Sequence, residues 1–155
     1  MAQTVTKIVP TISTKTSGTS GIVHLPRLWQ KLLLFQAGLL PEDYDACGDG
    51  FDAMTLNAFG IKKQEAIDFI SGHKPSYVEF ENWVIEKNGG KLDSDKVRKH
   101  NEAILAYNHS DDTAAAMRAS SGLKDHSIKD AATLNTHDDF DEFHRHIVGE
   151  RVSRN

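Results

Sequence analysis

The chain reads as an all-α protein, a compact bundle of about six to seven short helices around a central apolar helix, with an extended N-terminal arm. Three observations lead there. Leu25, Leu28, Trp29, Leu32, Leu33, Gln36, Leu39 and Leu40 recur at helical spacing and make a wide apolar face. Glycines and prolines cut the remainder into segments of helical length separated by loops of a few residues. No segment alternates apolar and polar residues as a half-buried strand does. Short helices with glycine stops and brief connections pack as an orthogonal bundle.

Residues 1–20 form a compositionally separate arm. It holds no Asp or Glu and is dense in Thr and Ser. Its β-favouring pairs, together with Pro10 and the run from Gly18 to Gly21, oppose a helix. Two readings stand: a flexible tail, or an extended arm laid across the domain or a neighbouring chain. Residues 21–155 read as a single helical domain. The central helix starts at Pro26, a residue suited to a first turn because its missing N–H would be unpaired there anyway. Gly38 and Pro41 end it. Residues 41–52 form an acidic loop with two glycines. Phe51, Met54, Leu56 and Phe59 then predict a short helix stopped by Gly60. Lys63 to Ile70 is another, closed by Gly72. Ser76 and Glu79 form a capping box for a helix that reaches Gly89-Gly90. Asp93 or Ser94 caps a helix to about Tyr107. Asp111-Asp112-Thr113 caps Ala114 to Ser120. Residues 125–134 read as a loop with room for one helical turn, and Thr136 caps a last helix with Phe140, Phe143, Ile147 and Val148 facing inward.

The 155 residues suit one domain with a real core. Hydrophobic residues at 39% and charged residues at 26% are ordinary for a globular chain, which leaves no compositional hint of a fibrous or disordered class. A net charge of −4 supplies no basic field and argues against nucleic acid as a partner. The longest apolar run, Leu32 to Phe35, is far short of a membrane span, and no secretory signal opens the chain. One cysteine, Cys47, cannot close an internal disulfide, so a reducing, cytoplasmic setting is expected.

The stretch from Gly21 to Leu28 is followed by a long helix and a loop containing Tyr44-x-x-Cys47. Phe59-Gly60-Ile61 and Glu79-x-x-x-Trp83-Val84 come next. In that order and spacing the elements resemble bacterial domain-of-unknown-function family five thousand and sixty-nine, over roughly residues 6–88. The resemblance implies a small helical bacterial protein and no particular activity. Where the family has a proline-leucine-aspartate run after the cysteine, this chain has Gly48-Asp49-Gly50.

Candidate chemistry gathers at the start of the central helix. His24 and Arg27 sit at a helix N-terminus, where unpaired N–H groups and the dipole favour anions and keep an imidazole neutral. A neutral His24 is a competent base, and Arg27 can hold an oxyanion or a carboxylate. Asp45 or Asp49 could orient His24, while Tyr44 and Cys47 could line a substrate site. The expected reaction is a cofactor-independent proton abstraction with elimination or isomerisation, a lyase or isomerase acting on a small molecule. No phosphate loop, dinucleotide fingerprint or paired-cysteine metal site is present. The alternative is a non-enzymatic binding or assembly module, a homo-oligomer paired through the arm. A weaker third idea uses His137, Asp141 and His144, spaced to share one face of the last helix, as metal ligands. Their competing explanation is a solvated charged face.

Overall fold

The structure is a computed structural model and describes residues 6–149. The described residues form seven helices, with one isolated antiparallel bridge and no strand. They are α1 (Leu25–Gln36), α2 (Phe51–Ala58), α3 (Lys63–His73), α4 (Tyr77–Lys87), α5 (Ser94–Ala106), α6 (Asp111–Ser121) and α7 (Ala131–Val148). Among the described residues, no helix is long and apolar enough to cross a membrane. Contacts group the chain into two compact units, residues 1–104 and 105–155, within what the sequence suggests is one helical domain.

In the first unit α1 packs on α3 and α4. Leu25, Leu28 and Leu32 project from α1 into a core with Ile22, Leu56, Phe59, Ile61, Ala66, Ile70, Phe80 and Val84. Each fully buried leucine or phenylalanine there contributes about 1.5–3 kcal/mol over an exposed one. α1 is shorter than its apolar pattern suggests. Gly38 takes a left-handed φ of 72°. That turns the chain so that Leu39 N–H donates to the Leu34 carbonyl at 2.8 Å and closes the helix. Leu40 is still buried, but from the loop. At α4 the capping box forms as expected, with Ser76 Oγ accepting from Glu79 N–H and Glu79 Oε1 accepting from Ser76 N–H, both at 3.2 Å. Phe69 and Trp83 stack at 4.5 Å between α3 and α4.

Residues 7–20 are an ordered arm bound to their own unit. Ile8 N–H donates to the Leu39 carbonyl at 2.7 Å, and Gln30 Oε1 on α1 accepts the N–H groups of Thr11 and Ile12, each at 3.0 Å. Farther along, the hydroxyls of Thr19, Ser20 and Tyr77 donate to the buried Glu81 carboxylate at 2.9, 2.7 and 2.6 Å. Burial pushes the Glu81 carboxyl up, but these donors outweigh it and hold the group below its ordinary value. Burial and Glu81 raise the Tyr77 phenol. Asn101 on α5 clamps the arm's end, accepting from Val23 N–H at 3.1 Å and donating to the Gly21 carbonyl at 2.8 Å. These contacts engage the arm within its own chain. His100 is buried beside Phe59 and lies 3.2 Å from the Val23 carbonyl.

In the second unit α6 packs against α7. Ser110 caps α6, one residue before the expected aspartates, accepting Thr113 N–H at 3.3 Å. Asp130 caps α7 by accepting Thr133 N–H at 2.9 Å, so α7 starts six residues earlier than a cap at Thr136 would place its first residue. That earlier start sets the face. Ala131, Ala132 and Leu134 are the buried apolar residues of α7. Phe140, Phe143, Ile147 and Val148, expected inward, are exposed, with Phe140 at 61% and Ile147 at 69%. The reason is angular. The buried positions of the first turn lie on the side of the helix away from positions 140, 143 and 147, and a helix can turn only one face to α6.

Candidate functional site

His24 stands at the N-cap of α1 with a left-handed φ of 72°, a conformation that costs a non-glycine residue on the order of 1 kcal/mol. Its surroundings hold it there. The backbone N–H donates to the Thr16 carbonyl at 3.2 Å. Ring Nδ1 is 3.1 Å from Thr14 Oγ1, and ring Nε2 is 2.6 Å from Asp52 Oδ1. The Phe51 ring lies against the imidazole with its centroid 5.6 Å away. Asp52, in the first turn of α2, also accepts from Lys31 Nζ of α1 at 2.5 Å and from Gly48 N–H at 2.9 Å, both on Oδ2. Lys31 Nζ donates as well to the Asp45 carbonyl at 3.1 Å. All of this is sealed: His24 is 2% exposed, Asp52 3% and Lys31 7%.

The protonation pattern follows from the partners. Burial pushes the Asp52 carboxyl up, but the His24 hydrogen bond and the Lys31 ammonium overcome it and bring it down to about 2. Burial lowers the imidazole of His24 despite the pull of Asp52, with Lys31 and Arg27 adding to the lowering. The resting cluster is therefore Lys31 cation, Asp52 anion and neutral His24, with no net charge. An ionised carboxylate only accepts, so Nε2 carries the imidazole proton and Nδ1 accepts from the Thr14 hydroxyl. The connectivity of hydroxyl, imidazole and carboxylate is that of a nucleophile, base and orienter. Thr14, however, is 1% exposed, and Lys31 neutralises the orienting carboxylate. The basic lone pair of His24 is occupied by Thr14.

The structure brings only part of the expected set together. His24 is at the centre. Arg27 leaves the cluster and donates from Nη1 to the Ile12 carbonyl of the arm at 3.0 Å. Asp45 contributes its backbone carbonyl and not its carboxylate, and the side chains of both Asp45 and Asp49 are exposed. Asp52 takes the orienting position that the sequence suggested for one of them. Cys47 is buried in the core, and burial and Asp52 raise its thiol, which keeps it protonated and unreactive. Tyr44 lines a different feature, a groove of about 320 Å³ with Lys7, Phe35, Gly38, Leu40, Pro41 and Glu42. Sequence reasoning missed Thr14, Lys31 and Asp52. Lys31 carried a readable signal, since a lysine inside the most apolar helix needs a buried anion.

On α7, Asp141 is ion-paired to Arg145 at 2.7 Å, and His137 Nδ1 lies 3.0 Å from the Thr133 carbonyl. Among the described residues, no group of three or more His, Cys, Asp or Glu is placed to hold a metal ion. Comparison with family models, with curated proteins and with solved structures found no match to this chain.

Proposed function

We propose that the protein is a non-enzymatic assembly module whose working surface is the outer face of α7. The observation that carries this reading is the exposure of four large apolar side chains, Phe140, Phe143, Ile147 and Val148, on one helix. An apolar face of that extent on a monomer marks a docking surface. The chemistry of the first unit supports the same reading. Its histidine has both ring nitrogens engaged, and its charges cancel inside a closed core. The small-molecule lyase or isomerase reading would require Thr14 to leave Nδ1 and a path to open to a sealed imidazole. Membership of the bacterial family that residues 6–88 resemble belongs to this proposal and adds no activity. A cytoplasmic location belongs to it too, in keeping with the single buried Cys47.

The test uses an apolar fluorescent dye together with light scattering on the purified chain. A working face either binds the dye while the protein is monomeric or disappears into a self-associated form as concentration rises. Phe140→Asn with Phe143→Asn should abolish both behaviours and leave the helical circular dichroism unchanged. A wild-type monomer that ignores the dye at every concentration would refute the proposal.

A further inference from the structure

We infer that residues 13–17 of the arm are an acid-released strap, in which proton uptake by His24 drives Thr14 out of the core while the arm stays moored on either side. This is independent of the α7 reading. Thr14 is the strap's buried point. It is 1% exposed, whereas Lys15, Thr16 and Ser17 are exposed. Its hydroxyl lies 3.1 Å from His24 Nδ1, and the Thr16 carbonyl accepts the His24 backbone N–H at 3.2 Å. The strap turns tightly between them, with Thr16 N–H donating to the Ser13 carbonyl at 3.0 Å.

The closed form has no place for a second proton on the ring. The charged groups facing it are Asp52 from α2, and Lys31 and Arg27 from α1. From the arm it meets the uncharged Thr14, while the arm's own cation Lys15 is exposed. Asp52 is already matched by Lys31, so an imidazolium would add an uncompensated charge to a sealed cluster beside two further cations. The hydrogen bonds oppose it too. Nε2–H donates to Asp52 in both forms. Nδ1 accepts the Thr14 hydroxyl when neutral and becomes a donor when charged, so the hydroxyl proton must turn away from it. The arm is the side that yields, because α1 and α2 commit Leu25, Leu28, Leu32 and Leu56 to the core and the strap commits one threonine.

The moorings do not titrate in the same range. Before the strap, Val9 is buried, Arg27 holds the Ile12 carbonyl, and Gln30 holds the N–H groups of Thr11 and Ile12. After it, Thr19 and Ser20 donate to Glu81, whose carboxyl is held below its ordinary value and stays ionised through the histidine range. His100 keeps the Val23 carbonyl in either protonation state, since a ring N–H donates to it in both. The closed strap refuses a proton that the open one accepts. Closure is therefore full above the ordinary histidine value and is lost as pH falls below about 6.5, the opening constant rising by up to about tenfold per pH unit.

Amide hydrogen exchange read by NMR on the full chain tests this between pH 7.5 and 5, each rate divided by that of an unstructured chain at the same pH. Protection of the Thr16 and His24 N–H groups should fall by up to about tenfold per pH unit below about 6.5. Ala66 in α3 and Phe80 in α4 should keep theirs. His24→Asn introduces a side chain that accepts a left-handed φ and should make strap protection flat across the range. Lys31→Met leaves the ring facing Asp52 without the ammonium, so the fall should vanish there as well. Wild-type strap protection that ignores pH, or that falls only in step with Ala66 and Phe80, overturns the inference whether or not the variants fold. The wild-type slope persisting in His24→Asn places the proton elsewhere and overturns it too. Its persistence in Lys31→Met overturns the charge argument on which the release rests.

Discussion

Replacing Asp52 by Asn is the most direct test of what holds the first unit together. The exchange keeps the shape and removes one charge. Lys31 is then left as a cation in a site where it is 7% exposed, with only the Asp45 carbonyl and an amide oxygen as partners. Removing one member of a buried ion pair costs about 3–5 kcal/mol, because the remaining charge keeps its desolvation penalty. For a unit of about a hundred residues this is a fall in Tm of roughly 12–20 °C. Trp29 and Trp83 both lie in the first unit, so tryptophan fluorescence during heat or denaturant unfolding reads that unit. Lys31→Met is expected to cost a similar amount alone. In combination with Asp52→Asn it should restore much of the loss, since no unpaired charge then remains. A loss below about 1 kcal/mol for Asp52→Asn would show that Lys31 reaches water, and the account of a closed neutral cluster would fall.

Acid should weaken the first unit in two stages. The imidazoles of His24 and His100 are lowered by burial, so the unfolded chain takes up protons that the native state refuses. Stability is full above the ordinary histidine value and declines as pH falls through about 6.5. The Asp52 carboxyl, at about 2 against an ordinary 3.8, adds a second loss of about 2–3 kcal/mol that develops as pH falls from about 4 towards 2. Denaturant titrations at a series of pH values check this, and a flat profile between pH 7 and 5 would refute the first stage. Gly18→Ala should loosen the arm, because a Cβ there would lie 2.5 Å from Glu81 Oε2 and from Tyr77 Cε1. The expected cost is about 1–3 kcal/mol, with faster proteolysis before residue 20. An unchanged Tm and digestion rate would count against the Glu81 anchor.

Helix placement was legible in the sequence wherever punctuation was chemical. Ser76 with Glu79 and the stop at Gly60 leave their mark as residue types at fixed offsets. The start of α7 was not legible, because Asp130 and Thr136 are equally good caps on paper and the choice sets which face is buried. The stripe at Phe140, Phe143 and Ile147 looked like core because apolar periodicity alone does not say whether the cover is the same chain. His24 was found because a polar residue before an apolar helix is conspicuous. Its partners were not, since Thr14, Lys31 and Asp52 meet only after α1, α2 and the arm converge. Asp45, Asp49 and Asp52 lie within eight residues of each other, and nothing local separates the one turned inward from the two in solvent.

The arm has a consequence for synthesis on the ribosome. Its later anchors are made well after the arm itself. Thr19 waits for Glu81, 62 residues later, and Gly21 waits for Asn101, 80 residues later. At roughly 5–20 residues per second Gly21 waits about 4–16 s for that partner. The segment that waits carries no acidic residue and is rich in Thr and Ser, and apolar side chains are few in it. Such a composition stays solvated while idle and offers little to a wrong partner. The first unit can therefore close only when its α5 has been made, and the anchors at Thr19 and Gly21 are among the last of the arm's contacts to form.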